Sequence, residues 1–288
     1  MQPSETTGAA RTGAPMVDEW GDAELEAAWR RWHPQFATLT APLTELIIRA
    51  AGIAPGMAVL DLASGSGEPA LALARAVGPQ GRVIATDISA GMVDFIAEQA
   101  AARGLTNVVA RIADATALPF ADSSFDALTC RHGIQHIPDA PGALREAMRV
   151  LRPGGRAAFL VWGPPAGQGM FAHMAILARH AGMQPPPSDA PSPFRYAQPG
   201  TLAAAMAAAG FQEVREETHR VVLSWPGTPE ESWQHTREIA PPVRHLLARL
   251  PPATATRVTE EVLAALREHY DGKWVNKPAV VHVAIGTR

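Results

Sequence analysis

The length, composition and charge of the chain fit one globular unit and argue against a nucleic-acid-binding, disulfide-rich or membrane-spanning protein. Its 288 residues are 47% hydrophobic and 18% charged, with a formal net charge of −3, so the basic excess that favours nucleic acid is missing. A lone cysteine, Cys130, excludes a disulfide framework. We find neither a charged-then-apolar leader nor a long apolar run, and therefore expect no membrane span and a cytoplasmic location.

The N-terminal region divides into a tail and two predicted helices. Residues 1–16 are small and polar and contain proline and glycine, which predicts a disordered tail. Beyond it, Trp29, Trp32 and Phe36 recur at three- and four-residue spacing, as on one face of a helix. A second helix is predicted over Leu43–Ala51. Both helices precede the first strand.

Residues 59–71 join a strand, a glycine-rich turn and the start of a helix. The strand is a short apolar run, as in a strand buried in a parallel sheet. Gly65 and Gly67 let the backbone turn sharply and approach a ligand. The helix predicted over Glu68–Ala76 would point free backbone N–H groups at that ligand. The pattern predicts a nucleotide-cofactor cradle, although dinucleotide-binding and ligand-free α/β proteins use similar turns.

Two later strands end in carboxylates at positions suited to adenosine. The strand Arg82–Asp87 ends in an acid where the ribose would present its two hydroxyls. The strand Val108–Ile112 is followed by Asp114, which could accept a hydrogen bond from an adenine amino group. Together these acids favour a cofactor that contains adenosine.

Strands and helices continue to alternate. A fourth strand, Phe125–Cys130, is followed by a helix at Leu144–Leu151, and an Arg-Pro-Gly-Gly turn leads to a fifth strand, Arg156–Trp162. This order predicts an α/β fold with a doubly wound, mostly parallel, Rossmann-like sheet.

Two insertions interrupt the second half of the chain. The first is rich in proline and carries a short apolar helix, Phe171–Ala181. The second holds two helical patterns, Glu230–Leu250 and Thr254–Tyr270, between the strands Phe211–Trp225 and Ala279–Gly286. The predicted organisation is 1–16 as the tail, 17–52 as N-terminal lid helices, 53–162 as the cofactor-binding core, 163–199 as a lid insertion, 200–225 as a core helix and strand, 226–272 as a helical lid insertion and 273–288 as the last core strand.

Five ordered motifs resemble those of the class I S-adenosylmethionine-dependent methyltransferases. The resemblance is closest to the small-molecule group that contains the ubiquinone and menaquinone methyltransferases. It implies S-adenosylmethionine as cofactor, a seven-stranded sheet with an antiparallel last strand, and lids built by the two insertions. The motifs are Asp61-x-x-x-Gly65-x-Gly67, Asp87, Asp114-Ala115, Phe120-x-x-x-x-Phe125-Asp126 and Leu151-Arg-Pro-Gly-Gly155.

The chain departs from the family pattern at two places. Ala63 stands where the family usually has the first glycine of its loop, and it is expected to be tolerated if its backbone keeps a negative φ. Gln135 and His136 stand where quinone-ring methyltransferases of this group usually carry an Arg-Asn pair. The second departure weakens the case for a quinone acceptor.

The resemblance assigns roles to the residues that follow the strands. Asp61 is expected to order the loop and face the methionine amino group, Asp87 to bind the ribose and Asp114 to face the adenine. Helix capping or a turn role is the alternative for Asp61 and Asp114. The full predicted cofactor set is Asp61, Ala63, Ser64, Gly65, Gly67, Asp87, Ile88, Met92, Asp114, Ala115 and Arg131.

His132 and His136 are the catalytic candidates. His132 follows the fourth strand at the carboxyl edge of the sheet, where open α/β sheets bind ligands, and an imidazole suits deprotonation of a phenol or similar acid. The alternatives are that His132 lines the methionine moiety or packs in its loop, and that His136 caps the next helix. The remaining histidines show no ligand spacing that predicts a metal site.

Apolar and aromatic side chains could form the wall of a flat acceptor pocket. Ordinary packing of helices on the sheet is the alternative for most of them. Three lid histidines, His173, His180 and His235, could also reach this pocket. The predicted wall consists of Trp29, Trp32, Trp162, Met170 and Phe171.

The resemblance predicts a methyltransferase that moves a methyl group by in-line displacement to the O, N or C atom of a small apolar, ring-containing metabolite. Positioning and desolvation would do most of the work. The alternatives are an enzyme of the same fold doing non-methylating chemistry, such as a cyclisation, a catalytically silent binding module, and a nicotinamide-dependent oxidoreductase, which the absent three-glycine fingerprint disfavours. The oligomeric state, including a homodimer, stays open.

Overall fold

A computed structural model describes residues 23–182, 187 and 190–288. The predicted tail at 1–16 and the residues just before the first helix lie outside these ranges. The helices are α1 (Ala23–Ala50), α2 (Ala70–Val77), α3 (Ala90–Ala102), α4 (Ala140–Val150), α5 (Ala172–Ala181), α6 (Thr201–Ala208), α7 (Pro229–Ile239), α8 (Pro241–Arg249) and α9 (Pro252–Arg267). The strands are β1 (Ala58–Leu62), β2 (Arg82–Asp87), β3 (Val108–Ile112), β4 (Phe125–Arg131), β5 (Leu151–Trp162), β6 (Gln212–Pro226) and β7 (Trp274–Thr287).

The strands form one seven-stranded sheet in the order β3-β2-β1-β4-β5-β7-β6. Strands β1 to β5 pair in parallel, while β7 is antiparallel to both of its neighbours, β5 and β6. Every residue of β1 is buried, as expected of a central parallel strand covered on both faces. The predicted fold class, including the antiparallel last strand, is confirmed.

Helix α1 is one continuous helix rather than the two that the sequence predicts, although Pro34 and Pro42 lie inside it. Its apolar side buries Leu39, Leu43 and Ile47 against the sheet. Proline in a helix interior costs about 3 kcal/mol, and burial of a continuous apolar stripe of this length offsets that cost.

The other departures lie at element boundaries. The pattern predicted over Glu230–Leu250 is two helices, α7 and α8, because Pro241 opens a new helix directly after Ala240. Strand β5 begins at Leu151, which pairs with Phe125 across an irregular register, instead of at Arg156. The predicted apolar helix of the first insertion is confirmed as α5.

The two insertions that the sequence predicts to be lids pack against each other, and we refer to them together as the lid. Ile176 and Leu177 of α5 join Trp233 of α7 and Val258 and Val262 of α9 in a small core of their own. This lid core is distinct from the clusters on the two faces of the sheet. In the described part of the chain, no helix combines the length and apolar character needed to cross a bilayer.

Candidate functional site

Asp87 joins the glycine-rich loop to the end of β2. Its Oδ2 accepts from the backbone N–H of Gly65 at 2.8 Å, and its Oδ1 accepts from that of Ser89 at 3.0 Å. Burial raises the pKa of the Asp87 carboxyl, and these two backbone donors act in the opposite direction. Each oxygen keeps a second lone pair. The carboxylate can therefore fix the loop and still accept two ligand hydroxyls.

Asp61 lies fully buried at the end of β1 with one oxygen unused. Thr129 Oγ1 donates to Asp61 Oδ1 at 2.5 Å, whereas Oδ2 has no hydrogen-bond partner within the described residues. Burial raises the pKa of the carboxyl to about 6. A buried carboxylate oxygen without a donor is costly unless a ligand supplies one. Asp61 is thus built to meet an ammonium or N–H group, and its side chain caps no helix.

Ala63 does not meet the condition of a negative φ under which the sequence predicts that it is tolerated. Its φ is 51°, and that of His132 is 58°, both in the left-handed region that costs a non-glycine residue about 1–2 kcal/mol. The Ala63 methyl lies against Gly133, where an added Cβ would approach it to 2.5 Å. The loop after β4 therefore accommodates Ala63 by having no side chain at Gly133.

The adenosine end of the site is formed by the segments after β2 and β3. Ile88 is 51% exposed, so its side chain is available to pack on a flat ring. Met92 is buried, and its backbone N–H donates to Ser89 Oγ. Asp114 is exposed, and its Oδ1 accepts from both the N–H and the hydroxyl of Thr116. Asp114 therefore fills the turn role that was its alternative, with Oδ2 left for a ligand.

Arg131 contacts protein groups from two elements. Its guanidinium donates to Thr44 Oγ1 of α1 and to the carbonyl of Glu68, both at 2.7 Å. Burial lowers its pKa to about 10. Arg131 thus fastens helix α1 to the cofactor loop. Glu68, on that loop, carries a carboxyl whose pKa is raised by burial.

His132 stacks on Trp162 with ring centroids 3.9 Å apart and planes 9° from parallel. Both ring nitrogens are enclosed and have no partner within the described residues. Desolvation holds the pKa well below its usual range, so the ring is neutral at pH 7. It can accept a proton or a hydrogen bond, but as a weak base.

His136 does not cap the following helix, because that role belongs to Asp139, which accepts from the Gly142 N–H at 2.9 Å. Its Nε2 lies 3.5 Å from Nε2 of the buried Gln135. Burial lowers the His136 pKa to about 4.

The predicted acceptor wall divides into two aromatic groups. Trp162 packs edge-on against Phe171 at 5.2 Å, beside Met170. Trp29 packs edge-on against Phe36. Trp32 contacts Trp225 at 5.6 Å and also donates from Nε1 to Glu238 at 2.7 Å, which makes it a link between α1 and α7.

A cavity of about 220 Å³ lies under the lid. Met170 of the predicted wall and the lid histidine His173 line it, together with Lys277 of β7. Of the other lid histidines, His235 packs on Trp225 at 4.5 Å, and His180 pairs with Glu261 at 2.9 Å. The remaining lining residues are Gly169, Ala172, Trp233, Thr236, Val262, Ala265, Leu266, Glu268 and His269.

Sequence reasoning missed Lys277 and His33. Lys277 is one of only two lysines in the chain and lies in an apolar strand. A lysine in such a run could have been singled out from the sequence. His33 of α1 is buried edge-on against Phe95, and burial lowers its pKa to about 4. Across the part of the chain that the structure describes, no group of three or more His, Cys, Asp or Glu could hold a metal ion.

Comparison with known proteins identifies the domain. Residues 59–155, which run from β1 to the start of β5, match a family model described as a methyltransferase domain. They form a class I S-adenosylmethionine-dependent methyltransferase domain. The predicted family and cofactor are confirmed. The unpaired oxygen of Asp61 and the positive-φ turn at Gly65 and Gly67 fit that cofactor.

Curated relatives of this methyltransferase domain include quinone enzymes. The ubiquinone/menaquinone biosynthesis C-methyltransferase UbiE of Hahella chejuensis is 40% identical over 115 residues, which are 40% of this chain and 46% of that protein. The 2-phytyl-1,4-naphtoquinone methyltransferase of Trichormus variabilis is 39% identical over 159 residues, 54% of this chain and 63% of that protein. The chain spans about half the length of the curated relatives it matches.

Solved structures share the fold well beyond the domain. YcgJ of Bacillus subtilis has a TM-score of 0.56 at 21% identity, covering 86% of this chain and 98% of its own. The [4+2]-cyclase SpnF has a TM-score of 0.56 at 20% identity, covering 96% and 97%. At these identities the likeness shows a common fold alone.

Proposed function

We propose that the protein transfers the methyl group of S-adenosylmethionine to a small, apolar, ring-containing acceptor. The main support for the proposal is the position of the neutral His132 ring, which stacks on Trp162. Both residues lie where β4 and β5 end, beside the cofactor loop that Asp87 holds. Ligands of open α/β sheets bind at this carboxyl edge. The relatives that act on quinones support a flat ring as acceptor.

The bound cofactor supplies an activated methyl group on a sulfonium centre. Asp61 Oδ2 would accept from its ammonium group, and Asp87 from its ribose hydroxyls. The protein then orients the acceptor atom in line with the methyl group and excludes water, which are the main contributions such a displacement needs. Trp162 and Phe171 supply the apolar surface for this.

We propose His132 as the group that accepts the acceptor's proton. Its ring nitrogens have no protein partner within the described residues, and its low pKa keeps one of them available at pH 7. Replacing His132 with alanine should lower turnover far more than affinity for S-adenosylhomocysteine. Equal turnover in the variant would show that His132 only packs on Trp162.

Calorimetric titration of the protein with S-adenosylhomocysteine and with NAD tests the cofactor class. We expect the first to bind and the second not to, and binding of NAD alone would overturn the proposal. A panel of ring-containing metabolites, incubated with S-adenosylmethionine and analysed by mass, should then show a product gaining one methyl group. If the protein binds the cofactor but converts a metabolite into a rearranged product that carries no added methyl group, the non-methylating alternative would be favoured.

A further inference from the structure

The lid cavity contains a buried cation without a counter-ion. Lys277 is 3% exposed, and neither an ion pair nor a hydrogen bond of its ammonium group is found among the described residues. The aromatic face of Trp225 lies 5.8 Å from its Nζ. An isolated ammonium group is expensive to bury. An anion entering the cavity would offset that cost.

The cavity offers an apolar slot with that cation in its wall. Trp233, Val262 and Leu266 supply the apolar surface, and His173 adds a half-buried ring whose pKa burial lowers to about 3. Glu268 also lines the cavity, but it is exposed and makes no ion pair with Lys277. A cavity of about 150 Å³ admits benzene, so the 220 Å³ here suits a one- or two-ring molecule.

The strand register relates this cavity to the methyl-transfer edge. The last residue of β5, Trp162, pairs with Val281 of β7. Lys277 lies four residues before Val281 on β7, so the two residues are about 13 Å apart along the strand. At Lys277 the strand pairs only with β6, through Leu223. Lys277 therefore projects beyond the carboxyl edge at which β5 ends. Phe171 connects the two places, because it contacts Trp162 at 5.2 Å and His173 at 6.3 Å.

We infer that the acceptor is an otherwise apolar ring compound with one acidic group, whose carboxylate or phenolate oxygen is bound by Lys277 in the lid cavity. The ring lies between Trp233 and Leu266, and the other end of the acceptor extends along Phe171 toward Trp162. Lys277 would therefore select for charge and set which end of the acceptor meets the methyl group. That the bound molecule is the methyl acceptor rests on the proposed function. That Lys277 binds an anion does not.

Paired probes test the role of the charge. The full chain, saturated with S-adenosylhomocysteine, is titrated calorimetrically with 2-naphthoate and with 2-naphthylmethanol, which share a ring system and differ in the anionic group. We expect the acid to bind at least about tenfold more tightly, in line with a charge-assisted contact. Lys277→Met keeps the length of the side chain and should remove this preference without weakening the alcohol.

The other lysine is a matched control. Lys273 is exposed just before the same strand, and Lys273→Met should keep the wild-type preference for the acid. Equal binding of acid and alcohol by the wild type, or a preference that survives in Lys277→Met, would overturn the inference. The ligand-free chain is titrated in parallel with each ligand, and binding of naphthoate without any binding of S-adenosylhomocysteine would refute the proposed function and leave the anion site standing.

Discussion

At the scale of single residues, buried polar groups without protein partners mark the site. Asp61 Oδ2 and the two ring nitrogens of His132 are enclosed and have no donor or acceptor among the described residues. Lys277 is a buried residue that lines the lid cavity, and its ammonium group has no hydrogen bond or ion pair in that part of the chain. Native interiors rarely leave such groups unsatisfied. All three lie at or beyond the carboxyl edge of the sheet, which supports the proposal that each of them contacts a ligand atom.

Asp87→Asn should weaken binding of S-adenosylhomocysteine by about one to two orders of magnitude. The amide keeps the shape of the side chain, but it has only one accepting oxygen for the N–H groups of Gly65 and Ser89 and for the ribose. Calorimetry measures the affinity. Asp94→Asn is the control, because that side chain is exposed on helix α3 and lies outside the predicted cofactor set. An equal loss in both variants would contradict the ribose role of Asp87.

Lys277→Met should raise the free energy of unfolding at pH 7 by about 3 kcal/mol. Burial lowers the Lys277 pKa from 10.5 to about 8, and each pKa unit corresponds to about 1.4 kcal/mol. The unfolded chain binds the proton more tightly, so wild-type stability should rise between pH 8 and 10.5, and that of the variant should not. Urea unfolding across this range measures both. A variant no more stable than the wild type would show that the charge carries no cost.

At the scale of elements, helix α1 is joined to the cofactor loop by a buried guanidinium. Arg131 of β4 bonds to Thr44 of α1 and to the carbonyl of Glu68. Helix α1 also reaches the start of α3, where Glu26 accepts from Ser89 Oγ at 3.1 Å. The same helix therefore contacts both ends of the cofactor cradle.

Arg131→Met should weaken S-adenosylhomocysteine binding and make α1 more sensitive to limited proteolysis. The change leaves the Thr44 hydroxyl and the Glu68 carbonyl without their donor, at a cost of roughly 2 kcal/mol. Arg30→Met is the control, since Arg30 of α1 forms an exposed ion pair with Glu98, and such pairs contribute below about 1 kcal/mol. Matching proteolysis rates in the two variants would count against the fastening role.

At the scale of the whole molecule, many enclosed histidines set the response to acid. Burial lowers the pKa of each below 6.5, so each is neutral in the folded protein and becomes protonated more readily on unfolding. Their contribution to the free energy of unfolding is fully present above pH 6.5 and is lost as the pH falls toward 4. In the part of the chain covered by the structure, these residues are His33, His132, His136, His173 and His235.

The urea concentration at the unfolding midpoint of the ligand-free protein should therefore decrease when the pH is lowered from 7 to 5. Each enclosed histidine contributes a loss of about 1 to 2 kcal/mol over this interval. Asp61, with its pKa raised to about 6, acts in the opposite direction, as do Glu68 and Asp87, but these carboxyls are fewer. A midpoint that stays constant from pH 7 to pH 5 would refute the prediction.

The sequence by itself determined the cofactor-binding core and the doubly wound, mostly parallel sheet, and its resemblance to a known family determined the cofactor. The loop from Asp61 to Gly67 and the acid at Asp87 are specified locally, because a strand end and a tight turn depend on residues close in the chain. The alternation of strand and helix patterns then leaves few topologies open. The antiparallel last strand followed from the resemblance.

Only the tertiary structure decided how the two insertions pack and which groups surround Lys277. Helix α5 meets α7 and α9 across a long stretch of intervening chain, and no local periodicity encodes that contact. The positive φ of Ala63 depends on the space left at Gly133, and the isolation of Lys277 depends on which groups the folded lid places around it. Such properties arise from packing between distant segments, which a pattern of neighbouring residues does not specify.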